Sequence, residues 1–358
     1  MALWITSPEQ LEQRRALRPQ RIGLDTEFIR ERTYWPQLAL VQMAVGDEIL
    51  LIDPLAPGMT QALVPWLEDT GITKIMHSAS EDLVAFLHAC GCVPRPLFDT
   101  QIAAAMAGLA GGMGYQKLVA QITGVELEKG EQRSDWMRRP LSDSQLHYAA
   151  ADVIHLFALH DQLQAALAER GRTQWQQQDA DRLVDGVAAD LLETWPHLSL
   201  RAAQFLPAAA QRVLLRLLRW RDVQARQSDK PRSWILDNEL ACSLAKQPPA
   251  DPAALQAVLE RHPKAPKKLA DALWQAVSTP LPDEASMPLA VDNSERLRAP
   301  LKRLQQAVAA RSAELGLPDG LLASRKVLEA WIENGQPPAN LTPWRLQELT
   351  PLVTPLLD

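Results

Sequence analysis

Two short stretches of the chain carry the residues best suited to chemistry. The first places Asp25 and Glu27 at i and i+2 in the run Ile-Gly-Leu-Asp-Thr-Glu-Phe. If this run is a strand, its period of two puts both carboxylates on one face. The second places Tyr148 and Asp152 at i and i+4, which makes them neighbours on a helix. Carboxylates held this close repel one another, so the pattern predicts a divalent metal ion on oxygen ligands.

The remaining acidic candidates differ in how much their surroundings reveal. Asp152 interrupts the apolar run of its helix, where an unpaired charge is costly, so a metal or a basic partner is implied. Asp82 lies in the first turn of a predicted helix, where the helix dipole also favours a carboxylate. Glu81 is an equally acidic neighbour, and the residue types leave the choice between the two open.

The elements that must position these residues follow from apolar periodicity and turn signals. Apolar runs predict strands over 22–28, 38–45, 48–52, 72–76 and 97–98, with a tight hairpin at the Gly-Asp pair 46–47. Helical spacing predicts helices over 59–68, 80–89, 101–109, 115–122 and from Ser142 to about 168, the last opened by a capping box with Gln145. Antiparallel strands followed by strand–helix alternation predict a mixed sheet with helices packed on it.

Composition bounds the class of protein. A chain of 358 residues with 47% apolar residues predicts two or three domains with real cores. No stretch is typical of a membrane span or a signal peptide, and the three cysteines lack zinc-finger spacing, so a soluble cytoplasmic protein is expected. The net charge is -6, but residues 201–280 hold 13 Lys and Arg against 7 Asp and Glu, which hints at a polyanionic ligand.

After residue 173 the sequence predicts helices separated by proline-rich breaks. Gln-Pro-Pro-Ala occurs at 247–250 and again at 336–339, and each copy follows an amphipathic segment that contains Ala-Arg. This spacing indicates a degenerate duplicated helical module.

Taken together, the acids on separate segments and the tyrosine one turn before the last acid resemble the DEDD exonuclease superfamily, tyrosine subtype, and within it the ribonuclease D family. The runs 23–28, 77–83 and 147–153 are similar to its three exonuclease motifs. The resemblance implies a mixed-sheet α/β domain of the ribonuclease H-like class over 1–200. It also implies all-α domains of the HRDC type, one over 205–282 and a degenerate one over 290–358.

The resemblance also implies roles for individual residues. It selects Asp82 over Glu81 and makes Asp25, Glu27, Asp82 and Asp152 the ligands of two Mg2+ or Mn2+ ions. Tyr148 would orient the attacking water. A monomer that releases nucleoside 5'-monophosphates from RNA 3' ends, such as those of tRNA precursors, is expected. A DNA exonuclease of the same superfamily and a non-catalytic RNA-binding protein are the alternatives.

Several basic residues and one histidine are candidates for contact with RNA, each against the alternative of a solvated or merely hydrogen-bonded side chain. One group lies near the motifs or in the loop before the Tyr148 helix: His77, Lys129, Arg133 and Arg138. The other falls at helical spacing in the basic segment: Arg212, Arg216 and Arg219.

Overall fold

A computed structural model describes residues 2–128, 130–131, 134–292 and 294–357. The chain divides into two compact units. The first comprises residues 1–29, 36–189 and 296–358, and the second comprises residues 30–35 and 190–295. No helix in the described ranges is long and apolar enough to cross a membrane.

A six-stranded mixed sheet forms the centre of the first unit, in the order β1-β4-β3-β2-β5-β6. Its strands are β1 (Leu3–Ile5), β2 (Arg21–Ile29), β3 (Gln37–Val45), β4 (Glu48–Ile52), β5 (Thr73–Met76) and β6 (Leu97–Asp99). The pairs β2–β3 and β3–β4 are antiparallel, and β1–β4, β2–β5 and β5–β6 are parallel. The predicted mixed sheet is therefore confirmed.

The central strands explain the apolar runs of the sequence. Every residue of β3 from Leu38 to Val45 is buried, because helices cover both faces of the sheet. The turn between β3 and β4 has two residues, with Val45 paired to Glu48, as the Gly-Asp pair predicted. Gly46 adopts a φ of +55°, in the left-handed region that glycine enters at little cost.

Eight helices follow or flank these strands. They are α1 (Pro8–Arg15), α2 (Met59–Glu68), α3 (Ser80–Cys90), α4 (Thr100–Met106), α5 (Tyr115–Thr123), α6 (Asp143–Ile154), α7 (Leu156–Glu169) and α8 (Thr173–Ala188). Four of the five predicted helices lie where the sequence placed them, within a few residues at each end. The sequence reasoning did not find β1 or α1, which are short elements of three and eight residues.

The single helix predicted from Ser142 to about 168 is wrong in one respect, because the chain breaks at His155 into α6 and α7. Its capping box is confirmed: Ser142 Oγ accepts from Gln145 N at 3.2 Å, and Gln145 Oε1 accepts from Ser142 N at 3.0 Å. At the break, the Tyr115 hydroxyl donates to Ala151 O at 3.2 Å and receives the backbone N–H of His155. A side chain inserted into the i to i+4 ladder bends a helix.

The second unit is helical. It contains α9 (Ala208–Ser228), α10 (Arg232–Ile235), α11 (Asn238–Lys246), α12 (Pro252–Arg261) and α13 (Ala270–Ser278). Its core is built from leucines and alanines of α9, α11, α12 and α13. No strand occurs after residue 173 in the described part of the chain, as predicted.

The last three helices belong to the first unit: α14 (Ser294–Glu314), α15 (Arg325–Asn334) and α16 (Pro343–Val353). Their apolar residues, among them Leu304 and Trp331, share one buried cluster with residues of α4, α5 and α7. A buried ion pair between Asp179 of α8 and Arg345 of α16 holds them there. The long helices α9 and α14 each span 21 residues and contain the two Ala-Arg pairs.

Candidate active site

Strand β2 presents the first two carboxylates. Asp25 and Glu27 are half-buried, and they alternate with buried Leu24 and Thr26 on the opposite face. Leu24 packs in the apolar cluster under that other face of the sheet. The period-two argument from the sequence thus places both carboxylates on one side, and the register is continuous through Glu27 before a shift at Phe28.

Glycine at position 23 lets a helix approach this face closely. Position 23 has the same parity as the two acids, so a side chain there would point the same way. A Cβ at Gly23 would lie 3.1 Å from Leu156 Cδ1 and 3.2 Å from Ala44 Cβ. The start of α7, and with it the end of α6, therefore sits tightly against the acid-bearing strand.

The structure distinguishes the two acids of the second motif. Asp82 is 8% exposed in the first turn of α3, whereas Glu81 is exposed. The Thr26 hydroxyl, between the two acids of β2, donates a hydrogen bond to Asp82 Oδ1. The charge of Asp82, and not that of Glu81, acts on both Asp25 and Glu27, so Asp82 is the member of the pair close to the carboxylates of β2, which residue types alone could not decide.

Helix α6 carries the other two candidate residues, Tyr148 and Asp152. The Tyr148 hydroxyl donates to the carboxylate of Asp152 one turn later. Trp136 packs beside Tyr148, with 6.1 Å between the ring centroids. Asp152 lies two residues before the end of α6.

The four carboxylates perturb one another strongly. Burial and the charges of Asp82, Asp152 and Glu27 raise the pKa of Asp25 well above its usual value. Burial, followed by the charges of Asp152 and Asp82, raises the pKa of Glu27 to about 8. Burial raises the pKa of Asp82 and that of Asp152 to about 7 each. A compact set of acids that resist ionisation is typical of a cation site.

The donor set fits a hard divalent cation. It consists of carboxylate oxygens, the ligands that Mg2+ and Mn2+ prefer. Among the described residues, no Lys, Arg or His forms an ion pair with Asp25, Glu27, Asp82 or Asp152. Nor do three or more His, Cys, Asp or Glu side chains in the described ranges already stand in metal-binding geometry.

A cavity of about 390 Å3 opens beside Asp25, Tyr148 and Asp152. Its wall also includes three residues of α5 that the sequence reasoning missed: Tyr115, Gln116 and Lys117. Burial, then the charge of Asp152, raises the pKa of Tyr115, so its hydroxyl stays protonated and keeps its donation to Ala151. Lys117 is exposed and forms no ion pair within the described chain. Lys117 lies in the first turn of α5, directly after the glycine-rich loop, and this location is the sequence signal that could have identified it.

The candidates for RNA contact near this cavity differ in their environments. His77 lines it, but its Nδ1 is 2.9 Å from Thr100 Oγ1 and its Nε2 is 3.0 Å from Met113 O, and burial lowers its pKa. The His77 ring is therefore neutral, and its hydrogen bonds hold the loop before α5 in place. Arg138 is exposed. Lys129 and Arg133 lie outside the described residues.

In the second unit, the three candidate arginines of α9 differ in their contacts. Arg216 donates to both carboxylate oxygens of Glu284, which is 6% exposed, and to Val277 O at 2.8 Å. Arg219 pairs with Asp283 at 2.8 Å and donates to Thr194 O. These contacts favour a structural role for both residues, whereas Arg212 is exposed.

A groove of about 1110 Å3 in the second unit is larger than the acid-lined cavity and is bordered by Arg216 and Arg219. Its lining is mainly apolar, and two of its three acids, Asp222 and Asp283, form ion pairs with arginines. Size alone therefore does not identify the reactive site.

Comparison with known proteins agrees with this geometry. A family model described as a 3'-5' exonuclease matches residues 3–168, and an HRDC domain model matches residues 210–277. Ribonuclease D of Xanthomonas oryzae pv. oryzae is 65% identical over 359 residues, covering 100% of this chain and 99% of that protein. Ribonuclease D of Pseudomonas paraeruginosa is 34% identical, covering 97% of this chain and 95% of that protein.

Solved structures give the same result. The crystal structure of Escherichia coli RNase D, described as an exoribonuclease involved in structured RNA processing, is similar with a TM-score of 0.84. The two are 30% identical in sequence, and the match covers 100% of this chain and 98% of that one. The agreement extends over the exonuclease sheet and the helical remainder alike.

Proposed function

Because the chain belongs to the ribonuclease D family of 3'-5' exoribonucleases, we propose that it trims the 3' ends of structured RNA, such as tRNA precursors, as a monomer using two divalent metal ions. The observation that carries this proposal is the convergence of Asp25, Glu27, Asp82 and Asp152 on one cleft with no basic partner among the described residues. Enzymes of this exonuclease superfamily generally use divalent metals.

The carboxylates of β2, α3 and α6 would hold the ions, with Asp25 central because all three other acids act on it. Bound Mg2+ or Mn2+ would supply Lewis-acid stabilisation of the attacking and leaving oxygens of the phosphodiester. Ionised carboxylates are costly in this cleft, so cation binding and loss of the last protons are coupled.

Tyr148 has the task of orienting the water that attacks the terminal phosphodiester. Burial raises the pKa of its hydroxyl, so the phenol stays protonated at neutral pH and cannot serve as a general base. Its hydrogen bond to Asp152 fixes the ring next to a metal-binding carboxylate. A water held between them would release a nucleoside 5'-monophosphate.

An activity assay with matched variants tests the site. The purified protein with Mg2+ or Mn2+ is expected to shorten a 5'-labelled RNA stepwise and to release 5'-monophosphates, and EDTA or Asp25→Asn should abolish this. Asp82→Asn should also abolish it, while Glu81→Gln, one residue away on the exposed side of the helix, should retain it. Full activity in EDTA would refute the metal-dependent mechanism.

The competing functions are separated in the same assay. When labelled RNA and labelled DNA of one sequence compete, RNA should be shortened first. Preferential loss of DNA would instead identify a DNA exonuclease. Binding of RNA with no shortening of either strand would identify a non-catalytic RNA-binding protein.

The second unit is proposed to hold the body of the RNA. Four of its exposed basic residues, here called the exposed basic set, are Arg212, Lys264, Lys267 and Lys268, and none of the four forms an ion pair among the described residues. Contacts of exposed cations with phosphates release counterions, so they weaken steeply with salt. These four residues are better candidates than Arg216 and Arg219, whose guanidinium groups already have acidic partners.

Replacing the exposed basic set by glutamine should weaken binding to folded tRNA and reduce the slope of log affinity against log salt by roughly three. Cleavage of a short oligonucleotide should persist. Lys302→Gln with Lys326→Gln, which removes exposed charge from the first unit, is the control and should leave the slope unchanged. An unaltered slope in the glutamine variant would show the set to be merely solvated.

A further inference from the structure

Gln42 is an anomaly of the central strand. It is 0% exposed in β3, and neither its Nε2 nor its Oε1 has a hydrogen-bond partner among the described protein groups. Buried amides are normally paired, because stripping them of water without replacement destabilises the fold. Every other residue of this strand between Leu38 and Val45 is apolar, so an apolar side chain would suit the fold better.

The sheet register places this amide beside the candidate metal site. Gln42 is the direct partner of Asp25 in the antiparallel β2–β3 pair and of Leu51 in the β3–β4 pair. Partners in antiparallel strands point to the same face with Cβ atoms about 4.5–5.5 Å apart. A glutamine side chain is long enough to span that gap. The Gln42 amide therefore lies under α6, next to the carboxylate of Asp25.

The other surroundings on this face are mostly apolar, although Trp136, whose Nε1 also lacks a partner among the described groups, and Tyr148 belong to the same cluster. Leu40, Leu51 and Ala149 form a buried cluster where α6 covers β3 and β4, and none of them has a side-chain hydrogen-bonding group. Asp25 is the carboxylate of the sheet directly opposite Gln42, and it can accept from an amide N–H, whereas the Trp136 Nε1–H can only donate. An amide oxygen turned toward that carboxylate would repel it, which fixes the orientation of the amide.

We propose that Gln42 is a positioning residue of the metal site: its Nε2–H donates through one buried water to the carboxylate of Asp25 and orients that carboxylate toward the bound cation. This inference rests on the proposed function. The buried N–H donor of Gln42 does not stabilise the fold. It restrains the rotation of the Asp25 carboxylate, on which all three other acids act. Hydrogen-bond partners behind first-contact ligands tune metal sites in this way.

Gln42→Met tests the inference, because methionine matches the length of glutamine and has no N–H donor. The metal-free variant should melt at the same temperature as the wild type or higher, since an unpaired buried amide is removed. Its affinity for Mn2+, measured by titration calorimetry, should fall about 10- to 100-fold. The kcat on a short RNA should fall at fixed Mn2+, with little change in KM.

Gln176→Met is the matched control. Gln176 in α8 is also buried, at 1% exposure, and its Nε2 also lacks a partner among the described groups, but it is not in the acid-bearing strands. Its substitution should leave the Mn2+ affinity unchanged. This control separates loss of a buried amide in general from loss of the amide beside Asp25.

Each outcome decides the matter. Equal Mn2+ affinity of wild type and Gln42→Met overturns the inference, even if RNA is degraded normally and the proposed function stands. A Gln42→Met protein that does not fold also overturns it, because the amide would then serve the fold. If the wild type itself binds no divalent ion, the proposed function fails first.

Discussion

Neutralising Glu27 should stabilise the metal-free protein while it destroys the metal site. Glu27 is the cleanest choice because its pKa is raised to about 8 by burial and by the charges of Asp152 and Asp82, with no hydrogen bond acting on it. A rise of this size corresponds to an upper figure of about 5 kcal/mol between the ionised and neutral forms. Partial exposure and coupling to the other acids reduce it, so we expect about 2 kcal/mol for Glu27→Gln.

The raised pKa of Glu27 determines how the stability difference between Glu27→Gln and wild type changes with pH. Below the unfolded pKa near 4.5 both folded and unfolded wild type hold the proton, and Glu27→Gln should have no advantage. Between that value and about 8 the folded state retains a proton that the unfolded state has lost, so wild-type stability falls as pH rises. The difference between variant and wild type should therefore be absent near pH 4 and largest above pH 8.

Scanning calorimetry in EDTA at pH 4.5 and pH 8.5 measures this difference. About 2 kcal/mol should appear as a Tm higher by roughly 5 °C at pH 8.5 in the transition of the first unit. Added Mn2+ should reverse the order, because it stabilises only the protein that binds it. Asp53→Asn is the control: it should destabilise in EDTA, since Asp53 pairs with Arg139 at 2.7 Å. A metal-free Glu27→Gln protein that is less stable than wild type at pH 8.5 would refute the claim that the neighbouring carboxylates and burial disfavour ionised Glu27.

Three further substitutions test other contacts. Tyr148→Phe should lower kcat on a short RNA by about 100-fold with little change in binding, as expected for a misplaced water, and an unchanged kcat would remove the orienting role. Tyr115→Phe should restore an Ala151-to-His155 helical bond and shift Asp152, seen as weaker Mn2+ binding in calorimetry; unaltered binding would show that the bend does not position the acid. Asp179→Ala should cost about 3–5 kcal/mol in chemical denaturation because Arg345 loses its buried partner, and a loss under 1 kcal/mol would contradict that pairing.

Local chemistry explains why most elements were predictable. The alternation around Asp25, the Gly-Asp hairpin and the Ser142 capping box each depend on residues within a few positions of one another. Such signals survive in a sequence read one window at a time. The elements that escaped, β1 and α1, are too short for a clear period and depend on pairing with β4 and packing against α2.

The helix break shows the limit of local reasoning. The run from Ser142 to 168 has continuous apolar spacing, and nothing within it forbids one helix. The hydroxyl that breaks the ladder belongs to Tyr115, 36 residues before Ala151. The placement of the last three helices is a similar case: the sequence predicts helices there, but it does not show that they pack on α4, α5 and α7. Deleting residues 205–358 would therefore uncover part of the first unit's own core.

The sequence by itself determined the candidate acids, the tyrosine and the strand and helix that carry them, because residue type and periodicity are local properties. Tertiary structure decided which acids meet. It buried Asp82 and exposed Glu81, although both are carboxylates in one helical turn. It gave Arg216 and Arg219 acidic partners and left Arg212 exposed, and it set Gln42 beside Asp25. Burial and charge pairing depend on segments far apart in the chain, so no single stretch of residues encodes them.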